Sequence, residues 1–203
     1  PNIVSLGGDH KEFLQDHRLQ HPSGLGGGRS APDQAAAKLG QPLASRDWRC
    51  GRAAGSSLLP AMMSDALRDT LANIWGFRAF LPNQERVMRS ILSGCETLAV
   101  MPTGSGKSVC FQAPAVSMDR LAVVISPLIA LMKDQVQSLR QLGVRASALN
   151  SSISPDEAQD AMRAIRGGEM RLLYLSPERV TLPGTVALLQ AANVAYMAVD
   201  EAH

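Results

Sequence analysis

Met101-Pro102-Thr103-Gly104-Ser105-Gly106-Lys107-Ser108 is the stretch on which the reading of this chain turns. It follows the apolar run Thr97 to Met101, which reads as a strand, and it opens a segment that reads as a helix. Glycines let backbone N–H groups turn inward around an anion. A helix starting at the same point adds the positive end of its dipole. Lys107 is then placed to reach the β- and γ-phosphates of a nucleotide, and the Ser108 hydroxyl to ligate Mg2+. The strict form of this pattern begins with glycine, and here that position is Met101. The order strand, loop, helix separates the motif from a glycine-rich turn that happens to carry a lysine.

The second informative stretch lies far downstream. Val194-Ala195-Tyr196-Met197-Ala198-Val199 runs into Asp200-Glu201-Ala202-His203. In a doubly wound sheet, ligands sit at the C-terminal ends of the strands. Two carboxylates there, beside a phosphate loop, divide the work. Asp200 is expected to hold Mg2+, mainly through water. Glu201 is expected to orient and deprotonate the attacking water. His203 is expected to sense the nucleotide and relay to a neighbouring segment.

Between these motifs the chain alternates between two periodicities. Helices are predicted from Ser64 to about Leu71, over Asn83 to Leu92, over Leu128 to Leu142 and over Thr185 to Ala191. Ser154-Pro155-Asp156-Glu157 combines an N-cap, a first-turn proline and a capping-box glutamate, and starts a helix that ends at Gly167-Gly168. Strands are predicted at Thr97 to Met101, Leu121 to Ile125, Val144 to Leu149, Arg171 to Leu175 and Val194 to Val199. Such alternation implies an α/β fold, a parallel sheet covered by helices on both faces.

Composition narrows the rest. The chain has 203 residues, 45% hydrophobic and 19% charged, with a net charge of +2, which is ordinary for a globular protein. No apolar run approaches the roughly 18–20 residues that span a bilayer. The three cysteines show no CxxC pair and read as unpaired thiols in a reducing compartment. Residues 1–60 hold much of the glycine and proline, including Gly24-Leu25-Gly26-Gly27-Gly28, and all of the positive excess. They read as a disordered or linker-like extension, without a secretory signal, ahead of one domain at 61–203.

Thr103-Gly104-Ser105-Gly106-Lys107-Ser108 together with Asp200-Glu201-Ala202-His203 resembles the first RecA-like domain of a superfamily 2 helicase. The segments between narrow the resemblance to the RecQ family. Val124-Ile125-Ser126-Pro127-Leu128-Ile129-Ala130-Leu131-Met132-Lys133-Asp134-Gln135-Val136 is similar to its motif Ia. Leu173-Tyr174-Leu175-Ser176-Pro177-Glu178-Arg179 is similar to the segment that follows, and Trp75-Gly76-Phe77-Arg78-Ala79-Phe80-Leu81-Pro82-Asn83-Gln84 to the adenine-binding motif upstream of the loop. The resemblance runs from about residue 64 to the end.

It implies a RecA-like P-loop NTPase domain of an ATP-dependent DNA helicase that moves 3′ to 5′ in repair and recombination. ATP and Mg2+ are the implied cofactors. Single-stranded DNA and duplex junctions are the implied partners, with no membrane. The implied setting is cytoplasmic with the bacterial nucleoid, or nuclear in a eukaryote. Carried over by position, Thr103 to Ser108 cradle the phosphates, with Lys107 also catalytic beside Glu201. Phe77 lies against the adenine and Gln84 hydrogen-bonds its edge. The family's arginine at the next adenine position is Leu81 here, which offers apolar contact without a cation. Ser126, Pro127, Leu128, Ser176 and Pro177 are implied contacts to DNA phosphates. A helicase motor needs a second RecA-like domain in cis, carrying arginine fingers, and the resemblance places it after His203. The 203 residues alone are therefore expected to bind nucleotide, to hydrolyse it very slowly and not to unwind DNA. The other readings are an RNA helicase of the same superfamily, a non-catalytic nucleotide-binding fragment and an unrelated P-loop ATPase. The RNA helicases usually carry Thr-Arg-Glu in motif Ia, and this chain does not.

Overall fold

A computed structural model describes residues 2–6, 59–102 and 104–200. Strands are β1 (Asn2–Leu6), β2 (Thr97–Val100), β3 (Leu121–Ile125), β4 (Ala146–Leu149), β5 (Leu172–Leu175) and β6 (Val194–Asp200). Helices are α1 (Leu59–Thr70), α2 (Gln84–Leu92), α3 (Lys107–Ser117), α4 (Ile129–Gln141), α5 (Pro155–Arg166), α6 (Pro177–Val180) and α7 (Pro183–Ala191). A π-helical turn, Leu71–Trp75, extends α1 and closes on Gly76, whose φ of 72° is readily reached only without a side chain.

The strands form one sheet in the order β2-β1-β6-β3-β5-β4. β6, β3, β5 and β4 are parallel neighbours, as the alternating pattern predicts. β1 lies between β2 and β6 and is antiparallel to both. β2 therefore runs in the same direction as the parallel four, and the ends of all five strands share one edge. β1 was not anticipated: it falls in the stretch expected to be linker-like, and Ile3, Val4 and Leu6 give it strand composition. The remainder of that leader, apart from the start of α1, is residues 1 and 7–58 and lies outside the described residues.

Side-chain alternation along the strands splits the interior in two. Ala122, Val124, Leu172, Tyr174, Tyr196 and Ala198 face a core closed by α1, α2, α3 and α4. Leu121, Val123, Leu173, Leu175, Val194 and Met197 face the opposite core, closed by α5 and α7. Both faces of the central strands are thus covered, which is why β3 and β5 read as unbroken apolar runs. β2 is different. Thr97 and Ala99 are buried, whereas Leu98 and Val100 on the other face are 65% exposed.

Local signals explain most helix limits. Ser154 accepts from the Glu157 amide while Glu157 accepts from the Ser154 amide, the reciprocal cap expected from Ser-Pro-Asp-Glu. Those Ser154 hydrogen bonds hold the Glu157 carboxyl below its ordinary pKa. α1 begins at Leu59, ahead of the expected Ser64, with Pro60 in its first turn, where a missing N–H costs nothing. The short helix α6 was also unforeseen, and starts with a proline in the same way. Cys110 is a free, buried thiol, and burial pushes it up to about 12. The expectation of unpaired thiols fails at Cys95, which is disulfide-bonded.

Leu173 is fully buried between α5, α7 and the sheet. Leu173→Ala should lower the unfolding free energy by about 2–5 kcal/mol. Leu98→Ala should change it by no more than about 0.5 kcal/mol. Urea titration followed by circular dichroism measures both, and equal effects would contradict the two-core packing.

Candidate nucleotide site

The loop between β2 and α3 takes the shape that its glycines predict. Gly104 and Gly106 have φ of 80° and 70°, in the left-handed region. Ser105 folds back on the loop, its hydroxyl donating to the Pro102 carbonyl at 2.6 Å and its amide to the same oxygen at 3.3 Å. Lys107 and Ser108 are the first residues of α3, so the amides of that first turn have no partner within the helix and face the loop end. Met101, at the position where the strict pattern has glycine, turns its side chain into the core, with its sulfur 3.9 Å from Cys110 Sγ. A side chain is tolerated there because it points away from the cradle. Thr103 lies outside the described residues.

Lys107 and the end of β6 converge. Lys107 Nζ is 3.8 Å from Asp200 Oδ1, with the lysine side chain 14% and the aspartate 2% exposed. Residues far apart in sequence are thus brought together, as the reading of the two motifs requires. Ser108 Oγ accepts from Gln135 Nε2 of α4 at 3.2 Å. Glu201, Ala202 and His203 lie outside the described residues, so the expected water-activating and relay groups have no described geometry.

The segment before α2 adjoins the loop. Gln84 is buried and its amide is engaged at both ends. Oε1 accepts from the Leu81 amide at 2.9 Å, and Nε2 donates to the carbonyls of Ser105 and Gly106 at 3.3 and 3.2 Å. A Cβ on Gly106 would sit 2.3 Å from Gln84 Nε2 and 3.6 Å from Leu81 Cδ1. The expected adenine-edge residue is therefore also the latch that ties this segment to the phosphate loop. Phe77 and Leu81 are about half exposed, leaving an aromatic and an aliphatic surface free to take a base. Arg68 stacks on Phe80 at 5.7 Å and pairs with Glu85 at 3.3 Å, so Phe80 is already covered.

The strand ends next to Asp200 form a polar row. Ser126 follows β3, Ser176 follows β5 and Asn150 follows β4, and all three are buried. The Ser126 amide donates to the Leu175 carbonyl at 3.0 Å, tying two of these turns together. The two serines expected to meet DNA phosphates thus have little exposed hydroxyl. What the turns present to solvent is Pro127, Leu128 and Pro177. Asn150 was not anticipated; its Oδ1 accepts from the Ser152 amide at 2.8 Å and shapes the turn after β4. The run Asn150-Ser151-Ser152 after a strand is the signal that would have found it.

Residues 81–203 match the DEAD/DEAH box helicase family. The chain is 43% identical over 133 residues to an ATP-dependent DNA helicase RecQ of Haemophilus influenzae, an alignment covering 66% of this chain and 22% of that protein. It is 41% identical over 138 residues to a probable ATP-dependent DNA helicase RecS of Bacillus subtilis, covering 68% and 27%. To ATP-dependent DNA helicase Q5 of Rattus norvegicus it is 39% identical over 145 residues, covering 68% and 15%. The chain spans less than a third of the length of these relatives. The family match takes in more than half of the chain and includes both the glycine loop and the acidic end of β6, and with this similarity to RecQ proteins the chain belongs to the DEAD/DEAH box helicase family, in its RecQ branch.

Proposed function

We propose that this chain is the nucleotide-binding RecA-like unit of an ATP-dependent DNA helicase that moves 3′ to 5′. The observation that carries the reading is the 3.8 Å approach of Lys107 Nζ to Asp200 Oδ1 at the mouth of the glycine loop. A cation and an acid held there, with the first-turn amides of α3, match what a triphosphate and its metal ion need.

The donor set fits Mg2+: a hydroxyl and a carboxylate are hard oxygen ligands, and this ion uses few protein ligands beside phosphate and water. Ser108 and Asp200 would hold it, and when bound it neutralises charge that develops on the phosphates. Lys107 exchanges its contact with Asp200 for the phosphates. Glu201, next after Asp200 in sequence, takes the proton of the attacking water. His203 relays the state of the site to neighbouring segments. Phe77 and Leu81 flank the base. At the row of strand ends, single-stranded DNA is met by backbone amides around Pro127, Leu128 and Pro177, a mode that suits sequence-independent phosphate contact. Turnover and unwinding belong to the longer enzyme with its second RecA-like domain. Work on DNA puts that enzyme with the bacterial nucleoid or in a nucleus. The DNA reading is preferred to an RNA helicase because the relatives above are named as DNA helicases.

Lys107→Ala should abolish Mg-ATP binding by the 203-residue chain in calorimetry; wild-type affinity would remove the assignment of the loop. Gly106→Ala should weaken nucleotide binding about tenfold. It forces alanine into the left-handed region, at roughly 1–2 kcal/mol, and displaces the Gln84 amide. An unchanged dissociation constant would show that neither the φ nor the latch matters. In the longer enzyme, Glu201→Gln should keep ATP and DNA affinity while phosphate release falls by roughly 10²–10⁴. Near-normal release would move the general base to another residue.

A further inference from the structure

A partly buried hydrogen-bond network beside the loop reaches Ser108 through residues that have no part in the roles above. Gln135 on α4 gives Nε2 to Ser108 Oγ at 3.2 Å. Its Oε1 accepts twice, from the Tyr174 hydroxyl at 2.8 Å and from Gln112 Nε2 at 3.2 Å. Gln112 Nε2 also donates to the Tyr174 oxygen at 2.9 Å. Gln112 and Tyr174 are almost fully buried, on α3 and β5.

The hydrogen count makes this network directional. Tyr174 has one proton, and burial raises the phenol further above its ordinary pKa, so it stays a donor. That proton goes to Gln135 Oε1. An amide whose oxygen is held by two donors must turn its nitrogen the other way, toward Ser108. A serine hydroxyl has one proton and two lone pairs. With one lone pair fixed on Gln135, the second is left for a cation and the proton for an acceptor.

We propose that Gln135 is a positioning residue that presents a lone pair of Ser108 Oγ to the nucleotide's divalent cation, with Gln112 and Tyr174 keying its amide. This rests on the reading of Ser108 as a metal ligand. The bond from Gln135 does not compete with metal ligation; it selects the hydroxyl rotamer in which ligation is possible. Outer contacts of this kind commonly carry roughly 10–100-fold in metal affinity.

The test uses the full 203-residue chain with ADP and Mn2+, the ion being followed by its paramagnetic resonance signal. Gln135→Met keeps the length of the side chain and removes both amide groups. It should weaken Mn2+ uptake in the presence of ADP about tenfold. ADP affinity in excess EDTA, carried by the loop amides and Lys107, should not change; that second measurement also reports a folded site. Tyr174→Phe, which frees the amide to turn, should shift Mn2+ affinity in the same direction by a smaller factor. Wild-type Mn2+ affinity in Gln135→Met, with clear loss in Ser108→Ala, overturns the role of Gln135 alone. Unchanged affinity in both variants overturns the metal role of Ser108 and the inference with it.

Discussion

Lys107 and Asp200 meet where a buried charge needs a partner. Asp200 is nearly inaccessible, and an isolated carboxylate in such a place is strongly disfavoured unless a cation or hydrogen bonds compensate it. The sheet supplies that compensation geometrically. β2 and β6 run in the same direction and end at one edge, so the residue opening α3 and the residue closing β6 arrive together. The pair also leaves the site ready for exchange. In the proposed role a phosphate takes over the lysine and a cation the aspartate, so that no charge is left alone at either stage.

The two cores hold that edge in place from opposite sides. Tyr174 and Tyr196 lie on the face that carries α3 and α4, and both phenols are spent inside it. Tyr174 bonds Gln135, and Tyr196 donates to the Phe111 carbonyl in α3. These bonds fix α3 and α4 against the sheet at the level of the loop. The opposite core is wholly aliphatic at its centre, with Leu173, Leu175 and Met197 under α5 and α7. Directional contacts sit where geometry must be held closely, and simple burial suffices elsewhere.

Much of this was legible because the signals are local. The capping box at Ser154, the glycine at 143 after α4, and the glycines at 104 and 106 each act within a few residues of themselves. The parallel order of β6, β3, β5 and β4 followed from apolar runs separated by helices. The network at Gln135 was not legible: Gln135 and Tyr174 lie in two separate quoted segments and Gln112 in none, and only tertiary packing brings the three together. Ser126 and Ser176 were placed at the right strand ends, but their burial depends on neighbouring turns that composition does not reveal. β1 was missed because five residues of strand composition carry little weight inside a leader rich in glycine and proline.

The engagement of Gln84 bears on how a base is distinguished. Both ends of its amide already hold backbone groups, on Leu81 and on the loop. A base atom that takes a hydrogen of Nε2 trades against bonds already made to the loop, whereas Oε1 keeps a second lone pair. The net contribution of one such trade is smaller than the bare strength of a hydrogen bond. What the trade changes is the tether on the loop. If Gln84 meets the base edge as the family resemblance implies, identity of the base and mobility of the phosphate cradle become two readings of one equilibrium.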